Sequence, residues 1–373
     1  MTPASIFLTG ATGTVGSDVM RRLAAKAGVR LSILIRRNAQ SAEERAYRIL
    51  DGVAVRAELN ILEGDFTAGS SLGLESGALA ALQRETTHFI HAAGSTQFGL
   101  PLAEARTANV LGARNVLDFA RGCTSLECGA FLSTVYVSGR RRGFFGESDR
   151  GDAGAGFVNT YEQSKAEMEE LVFEGMGSLP LIIVRLSTVI GDSSTGKVAG
   201  FNAVHHAMRL LYNGLAPMIP GDADDAVDLV SSDFVSEAII HLVKHARKPA
   251  VFHLAAGADF SGTLGAVLGE TVSALSRFRP EWRKRAVERP LIVDLDTYEI
   301  FVRAVEETDN EVLKGATRSI RTFAYQLAYP KIFGTCAAAA ELAGTGISPT
   351  RSLDFYPRVV KYCLDTNWGA RAC

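Results

Sequence analysis

The chain comprises 373 residues, 47% of them hydrophobic and 21% charged, with a formal net charge of -2. These are the proportions of an ordinary globular protein, long enough for one large domain or a domain carrying an inserted lobe. The near-neutral balance excludes a nucleic-acid footprint, and no apolar stretch approaches the ~18 residues needed to span a bilayer. Five cysteines, Cys123, Cys128, Cys336, Cys363 and Cys373, lack zinc-ligand spacing and read as free thiols in a reducing cytoplasm. No positive charge precedes Arg21, so a signal peptide is not expected.

Ile6–Thr9 has the length and content of a buried strand, and glycines 10, 13 and 16 follow it in the spacing G-x-x-G-x-x-G. Val15, Val19 and Leu23 then recur on one helical face. Strand, glycine turn and helix in this order put unpaired backbone N–H groups and a positive helix end where a pyrophosphate can sit. Gly10 permits the tight turn, Gly13 the approach of the phosphates, and Gly16 the packing of helix on sheet. The second strand, Leu31–Ile35, ends in Arg36 and Arg37 with no carboxylate beside them. An acid at that point takes the ribose 2′-hydroxyl of NAD, whereas guanidiniums grip a 2′-phosphate. NADP(H) is therefore favoured over NAD(H).

Further strands are predicted at Leu59–Gly64, His88–Ala92, Ala130–Ser133, Leu181–Arg185 and Val251–Leu254. Their alternation with helices to about residue 195 is the signature of a parallel sheet covered on both faces. Ala130–Ser133 runs out into hydroxyl residues at its carboxyl end, where ligand sites form in open α/β sheets. Tyr161 and Lys165 stand four residues apart, so on a helix the phenol and the ammonium share a face. A lysine charge lowers a tyrosine pKa from its usual ~10.

Between Gly191 and Gly221 the rhythm breaks, and the chain is expected to leave the sheet to build a lid or pocket wall. Phe201, His205, Met208 and Met218 there are apolar or amphipathic enough to line an acyl channel, with ordinary core packing the alternative for each. Asp228–Lys244 resumes a sheet-covering helix, and residues beyond about 257 are helical and charged. This divides the chain into a cofactor-binding domain, 1–191 and 227–256, and a substrate lobe, 192–226 and 257–373. The basic runs Arg140-Arg141-Arg142 and Arg283 to Arg289 read as solvated faces, or as docking patches for an acidic carrier protein.

The stretches Leu8–Gly13, Leu34-Ile35-Arg36, Glu63-Gly64-Asp65, His91–Gly94, Asn109–Gly112, Ser133–Val137, Tyr161–Lys165 and Val184–Gly191 together carry a closer likeness. The chain resembles the extended short-chain dehydrogenase/reductase superfamily. Within it, the likeness is to the male-sterility or thioester-reductase group, which includes fatty acyl-CoA reductases and the reductase domains of carboxylic acid reductases and nonribosomal synthetases. The match runs from residue 5 to about 255 and thins beyond. It departs at Leu186, where the family usually has proline, and that loosens the turn reaching the nicotinamide carboxamide.

The resemblance implies an α/β fold, a Rossmann-type doubly wound parallel sheet with a smaller, mainly helical C-terminal lobe. Cofactor contacts are implied at Gly10, Thr12, Gly13, Thr14, Val15 and Gly16, and at Arg36, Arg37, Asp65 and Phe66. Others fall at Ala92, Ala93, Gly94, Asn109, Tyr161, Lys165, Leu186, Thr188 and Val189. Asp65 would meet the adenine ring, and Ala92–Gly94 would lie along the cofactor; for Asn109 a plain helix-surface position is the alternative. Counting back from Gly139 selects Thr134 over Ser133 as the hydroxyl that stabilises charge on the substrate oxygen. Tyr161 would donate the proton, and Lys165 would hold the ribose and keep the tyrosine pKa low.

The function so implied is NADPH-dependent hydride transfer to the carbonyl of an acyl thioester, held by coenzyme A or a carrier protein, giving aldehyde or alcohol. The alternatives are a stand-alone carbonyl or ring reductase of secondary metabolism, a sugar-nucleotide epimerase or dehydratase, and a non-enzymatic NADP-sensing scaffold. An intact set of Thr134, Tyr161 and Lys165 argues against the scaffold. No metal, nucleic-acid or membrane partner is expected, and a homodimer is left open.

Overall fold

Seven parallel strands form one sheet in the computed structural model, which describes residues 4–285 and 289–370. They are β1 (Ala4–Thr9), β2 (Val29–Ile35), β3 (Glu58–Glu63), β4 (His88–His91), β5 (Cys128–Thr134), β6 (Leu181–Leu186) and β7 (Ala250–Leu254). Their spatial order is β7-β6-β5-β4-β1-β2-β3, so the winding reverses between β1 and β4. Each strand foreseen from the sequence is present. Successive side chains alternate between the faces, and both faces are covered. Ile6 and Leu8 pack with Val19, Leu23, Val235 and Ile239 on one side. Phe7 packs with Phe89, Phe131, Met168 and Val172 on the other. That two-sided burial is why β1, β2 and β5 read as near-continuous apolar runs. β3, at the sheet's edge, keeps glutamates at both ends and is only half-buried.

The principal helices are α1 (Thr14–Ala24), α2 (Ala42–Ile49), α3 (Thr160–Gly175), α4 (Ala203–Tyr212), α5 (Ser232–His245), α6 (Leu264–Phe278), α7 (Glu311–Leu327) and α8 (Ser352–Asp365). α1 and α5 cover one face of the sheet, and α3 with the helix Gly112–Arg121 covers the other. α4, α6 and α8 enclose a second core, in which Met208, Leu211, Leu268, Phe355 and Val359 are buried together with Ile190 and Leu229 of a short strand pair. The C-terminal third is not confined to this lobe. Lys331–Phe333 pairs in parallel with Gly143–Phe145, and Ala338 and Leu342 return to the core beneath the sheet.

Cys123, Cys128, Cys336 and Cys363 carry free thiols, and Cys373 lies outside the described residues. Among the described residues no helix is long and apolar enough to cross a membrane. In the first basic run, Arg141 reaches Asp152 at 3.4 Å and Arg142 lies over the Tyr329 ring. In the run from Arg283 to Arg289, residues 286–288 lie outside the described residues, and Arg289 donates to the Gly265 carbonyl.

Candidate active site

The crevice at the carboxyl ends of β1 and β4 is where a ligand binds in a sheet of this order. The turn after β1 is shaped to leave room there. Gly10 has φ +74°, and a Cβ on it would stand 2.4 Å from the backbone of Ala92 and Ala93. A Cβ on Gly16 would stand 2.1 Å from the Gly10 carbonyl oxygen, so α1 approaches the turn as no other residue type allows. Gly13 caps α1 without a side-chain bond, and no acid occupies the first turn. The N–H groups and positive end of the helix dipole are thus left for an anion. Thr12, Thr14 and Val15 complete the turn, and a Cβ on Gly200 would stand 2.3 Å from the Thr14 hydroxyl, so the loop after Gly191 crosses the cradle. These features fit the pyrophosphate of a dinucleotide.

Arg36 and Arg37 leave β2 beside this cradle and remain largely exposed. Arg36 lies 4.0 Å from Asp65, and Arg37 pairs with Glu63 at 3.1 Å. The sequence reading missed a third guanidinium. Arg45 of α2 donates to the Arg36 carbonyl at 2.7 Å and to the Thr12 hydroxyl at 3.2 Å. The signal was available: Ser41 and Glu44 form a capping box that starts a helix just past the two arginines. Asp65 accepts from the Thr67 N–H and hydroxyl, and Phe66 lies edge-on to His91.

Asn109 is no surface residue. It is fully buried within a π turn, Thr107–Leu111, accepts from the Ser95 N–H at 2.9 Å and donates to Ser164 of α3 at 2.9 Å. A Cβ on Gly94 would stand 2.5 Å from its oxygen and 3.6 Å from the Lys165 ammonium nitrogen, so Ala92-Ala93-Gly94 runs directly beneath this group. At the far side, Leu186 ends β6, Thr188 accepts or donates a 2.8 Å bond with the Tyr136 hydroxyl, and the Val189 carbonyl takes a bond from Asn202.

α3 begins at Asn159, whose side chain caps it, and brings Tyr161 and Lys165 inward together. The Thr134 side chain lies near enough to the Tyr161 phenol to lower its pKa and accepts from the Tyr136 N–H at 3.2 Å, while the Ser133 hydroxyl, on the opposite face of β5, finds no partner among the described residues. The electrostatics differ from the sequence expectation. Burial pushes the Tyr161 phenol up to about 12, against the lowering effect of Thr134. Lys165 donates to the Leu132 carbonyl at 2.9 Å and is itself lowered to about 8 by burial. Desolvation of the phenol, with the nearby Glu162 and Glu169 adding to it, outweighs the Thr134 contribution.

Next to Tyr161, Glu162 turns the other way. It is buried, accepts from Gln326 of α7 at 2.7 Å and from the Val158 N–H, and its pKa is raised by desolvation. Lys331, also buried, is lowered to about 8 chiefly by desolvation. One turn or two further along α3, Glu169 forms a bidentate pair with Arg185 of β6, and Arg185 also meets His253 at 3.1 Å. Of the four residues expected to line an acyl channel, Met208 alone borders a cavity in the lobe. His205 is locked to the Ile190 carbonyl and Asn202 N–H, Phe201 lies against His205, and Met218 packs on the cluster around Tyr298.

Comparison with known proteins agrees with this architecture. The chain is 27% identical over 267 residues to the glycine betaine reductase ATRR of Emericella nidulans, covering 67% of this chain and 21% of that protein. It is 24% identical over 261 residues to an alcohol-forming fatty acyl-CoA reductase of Simmondsia chinensis, covering 55% of this chain and 53% of the relative. The chain thus spans about a fifth and about half of the lengths of these two relatives. The terminal R domain of the myxalamid PKS-NRPS biosynthetic pathway superposes with a TM-score of 0.80 at 22% identity, covering 100% of this chain and 93% of that one. The family described as male sterility protein matches residues 8–239, and with that span of sheet, cradle and Tyr161-containing helix inside the match, the chain belongs to the male sterility protein family.

Proposed function

We propose that this chain is an NADPH-dependent reductase that delivers hydride to the carbonyl of an acyl thioester, carried on coenzyme A or a carrier protein. The observation that carries the reading is the meeting of Thr134, at the carboxyl end of β5, with Tyr161, with Lys165 one helical turn away and the glycine cradle across the crevice. The reduced nicotinamide, when bound, supplies hydride. Tyr161 holds the proton for the carbonyl oxygen, and its burial keeps that proton in place until charge develops on the substrate. Thr134 offers a second hydrogen bond to the same oxygen. Lys165, close beneath Gly94, is the group to reach the cofactor ribose.

Gly10, Thr12, Gly13, Thr14, Val15 and Gly16 would hold the pyrophosphate, Asp65 and Phe66 the adenine side, and Ala92, Ala93, Gly94, Leu186, Thr188 and Val189 the ribose and nicotinamide side. Asn109, beside Gly94, would face the same side while holding Ser95 and Ser164 in register. The preference for NADPH is supported by three guanidiniums, Arg36, Arg37 and Arg45, at the end of β2. The division of labour between residues 1–191 with 227–256 and residues 192–226 with 257–373 is supported by the second core, built mainly from α4, α6 and α8. The relatives' names favour thioesters over sugar nucleotides, since one acts on a fatty acyl-CoA.

The test follows NADPH oxidation against acyl-CoAs, acyl-pantetheines and free ketones, with products identified. Thioester reduction that falls ~10²–10⁴-fold in Tyr161→Phe, with NADPH affinity unchanged, is the expected result. Reduction of ketones but of no thioester, or an active Tyr161→Phe, would overturn the reading.

A further inference from the structure

Two voids adjoin on the lobe side of the site. The first, about 40 Å³, lies beside the Tyr136–Thr188 hydrogen bond and reaches Gln326 and Lys331. The second, about 60 Å³, lies inside the lobe against Met208, Leu211 and Leu268. Val227, Leu229, Leu264, Phe323 and Leu327 line both, so one row of apolar side chains runs from the first void into the second. The Tyr136 N–H donates to the Thr134 hydroxyl at 3.2 Å, and Gln326 donates to Glu162, the neighbour of Tyr161, at 2.7 Å, so the first void lies beside the reacting end.

The two voids differ in polarity. In the first, the Gln326 amide oxygen is buried with no partner among the described residues, and a polar group or water can be held there. In the second, the polar atoms of Thr271 and Tyr356 are bonded to each other at 2.8 Å, and Thr271 also donates to the Val267 carbonyl. The second void thus offers an entering group no free polar partner among these residues. Interiors are otherwise packed like organic crystals, and an apolar void forfeits dispersion contacts along its walls. An apolar ligand restores them.

We infer that the two voids are one acyl channel, which the acyl chain enters from the Thr134–Tyr161 site past Tyr136 and Thr188, its aliphatic tail ending against Met208 and Leu268. The thioester reading is what makes the occupant an acyl chain. Its length follows from volume: an apolar cavity of about 150 Å³ holds the six carbons of benzene, so voids of about 40 and 60 Å³ hold a straight chain of about four carbons. Its chemistry follows from the satisfied far wall. A charged or hydroxylated tail would enter the second void without a partner, so the substrate is a short, unbranched and unsubstituted acyl thioester.

The experiment measures binding of straight-chain 1-alkanols, ethanol to octanol, to the full chain by calorimetry. Each methylene should tighten binding about fourfold, levelling off near butanol. Met208→Trp should move the plateau to shorter alcohols, and Met208→Ala should move it to longer ones. The second variant keeps the test decisive if the first fails to fold. No methylene increment in the unmodified chain, or a plateau that Met208→Ala leaves in place, overturns the channel. Acyl-CoA turnover separates the two readings. Alkanol plateaus with no thioester reduction refute the thioester reading and leave the apolar channel standing, whereas thioester reduction indifferent to chain length refutes the channel.

Discussion

Removing Glu169 should destabilise the fold more than any change at the exposed ion pairs. Its carboxylate meets Arg185 at 2.8 Å, with both side chains excluded from solvent. At an effective dielectric constant of about 20, two unit charges at that separation attract by about 6 kcal/mol, most of which is offset by the desolvation of both ions. Deleting one partner removes the attraction and leaves the desolvation. In Glu169→Ala the guanidinium would retain the His253 ring nitrogen at 3.1 Å and the face of Phe145 at 5.2 Å. His253 cannot take a second charge there, since burial and Arg185 hold its pKa down to about 3. The expected loss is about 3–5 kcal/mol. With a urea m-value of about 3 kcal/mol per M, the midpoint falls by about 1–1.7 M. Replacing both ions in Glu169→Leu/Arg185→Met should recover most of this, because the pair's net contribution is far smaller than the cost of orphaning one ion. Urea denaturation followed by circular dichroism measures both variants. A Glu169→Ala variant that loses under about 1 kcal/mol, or a double variant no better than Glu169→Ala, would refute the reasoning.

Other perturbations give equally direct outcomes. Arg45→Ala should weaken NADPH but not NADH by about one to two orders of magnitude, as charge-assisted bonds contribute ~1.5–3 kcal/mol; equal weakening in fluorescence titrations would refute a role at the 2′-phosphate. Gly16→Ala should abolish binding of either cofactor, because its Cβ would stand 2.1 Å from the Gly10 oxygen, and retained affinity would show that the cradle yields. Lys331 has a folded pKa of about 8 against 10.5, so the unfolded chain binds more protons between those values and stability rises with pH across that window. Lys331→Met should therefore exceed the unmodified chain in stability most below pH 8, with its advantage shrinking toward pH 10.5; a pH-independent difference would count against the shift.

The sheet and the cradle were legible because local chemistry dictates them. A strand buried on both faces can hardly avoid an apolar run, and only glycine tolerates the contacts at positions 10 and 16. Tyr161 and Lys165 were legible because helical spacing alone puts them together. What escaped depends on distance along the chain. Arg45 meets Thr12 across 33 residues, and Gln326 meets Glu162 across 164. The pKa of Tyr161 escaped for a different reason: i, i+4 spacing fixes direction but not solvation, and solvation decided the sign. The lobe's cavity walls come from α4, α6 and α7, whose patterns separately read as ordinary amphipathic helices.

The π turn at Thr107–Leu111 is one residue wider than the α-helix on either side. Each α-helical residue advances the helix by 100°. Deleting one residue there would let the helix close its normal hydrogen bonds and would rotate everything before it by that angle. Asn109 would leave Ser95 and Ser164 together, and the segment Leu102–Arg106 would turn away from α3. The extra residue thus works as a fixed phase offset between two helical stretches. Each can follow its own pattern of burial while a single amide group stays aimed at α3.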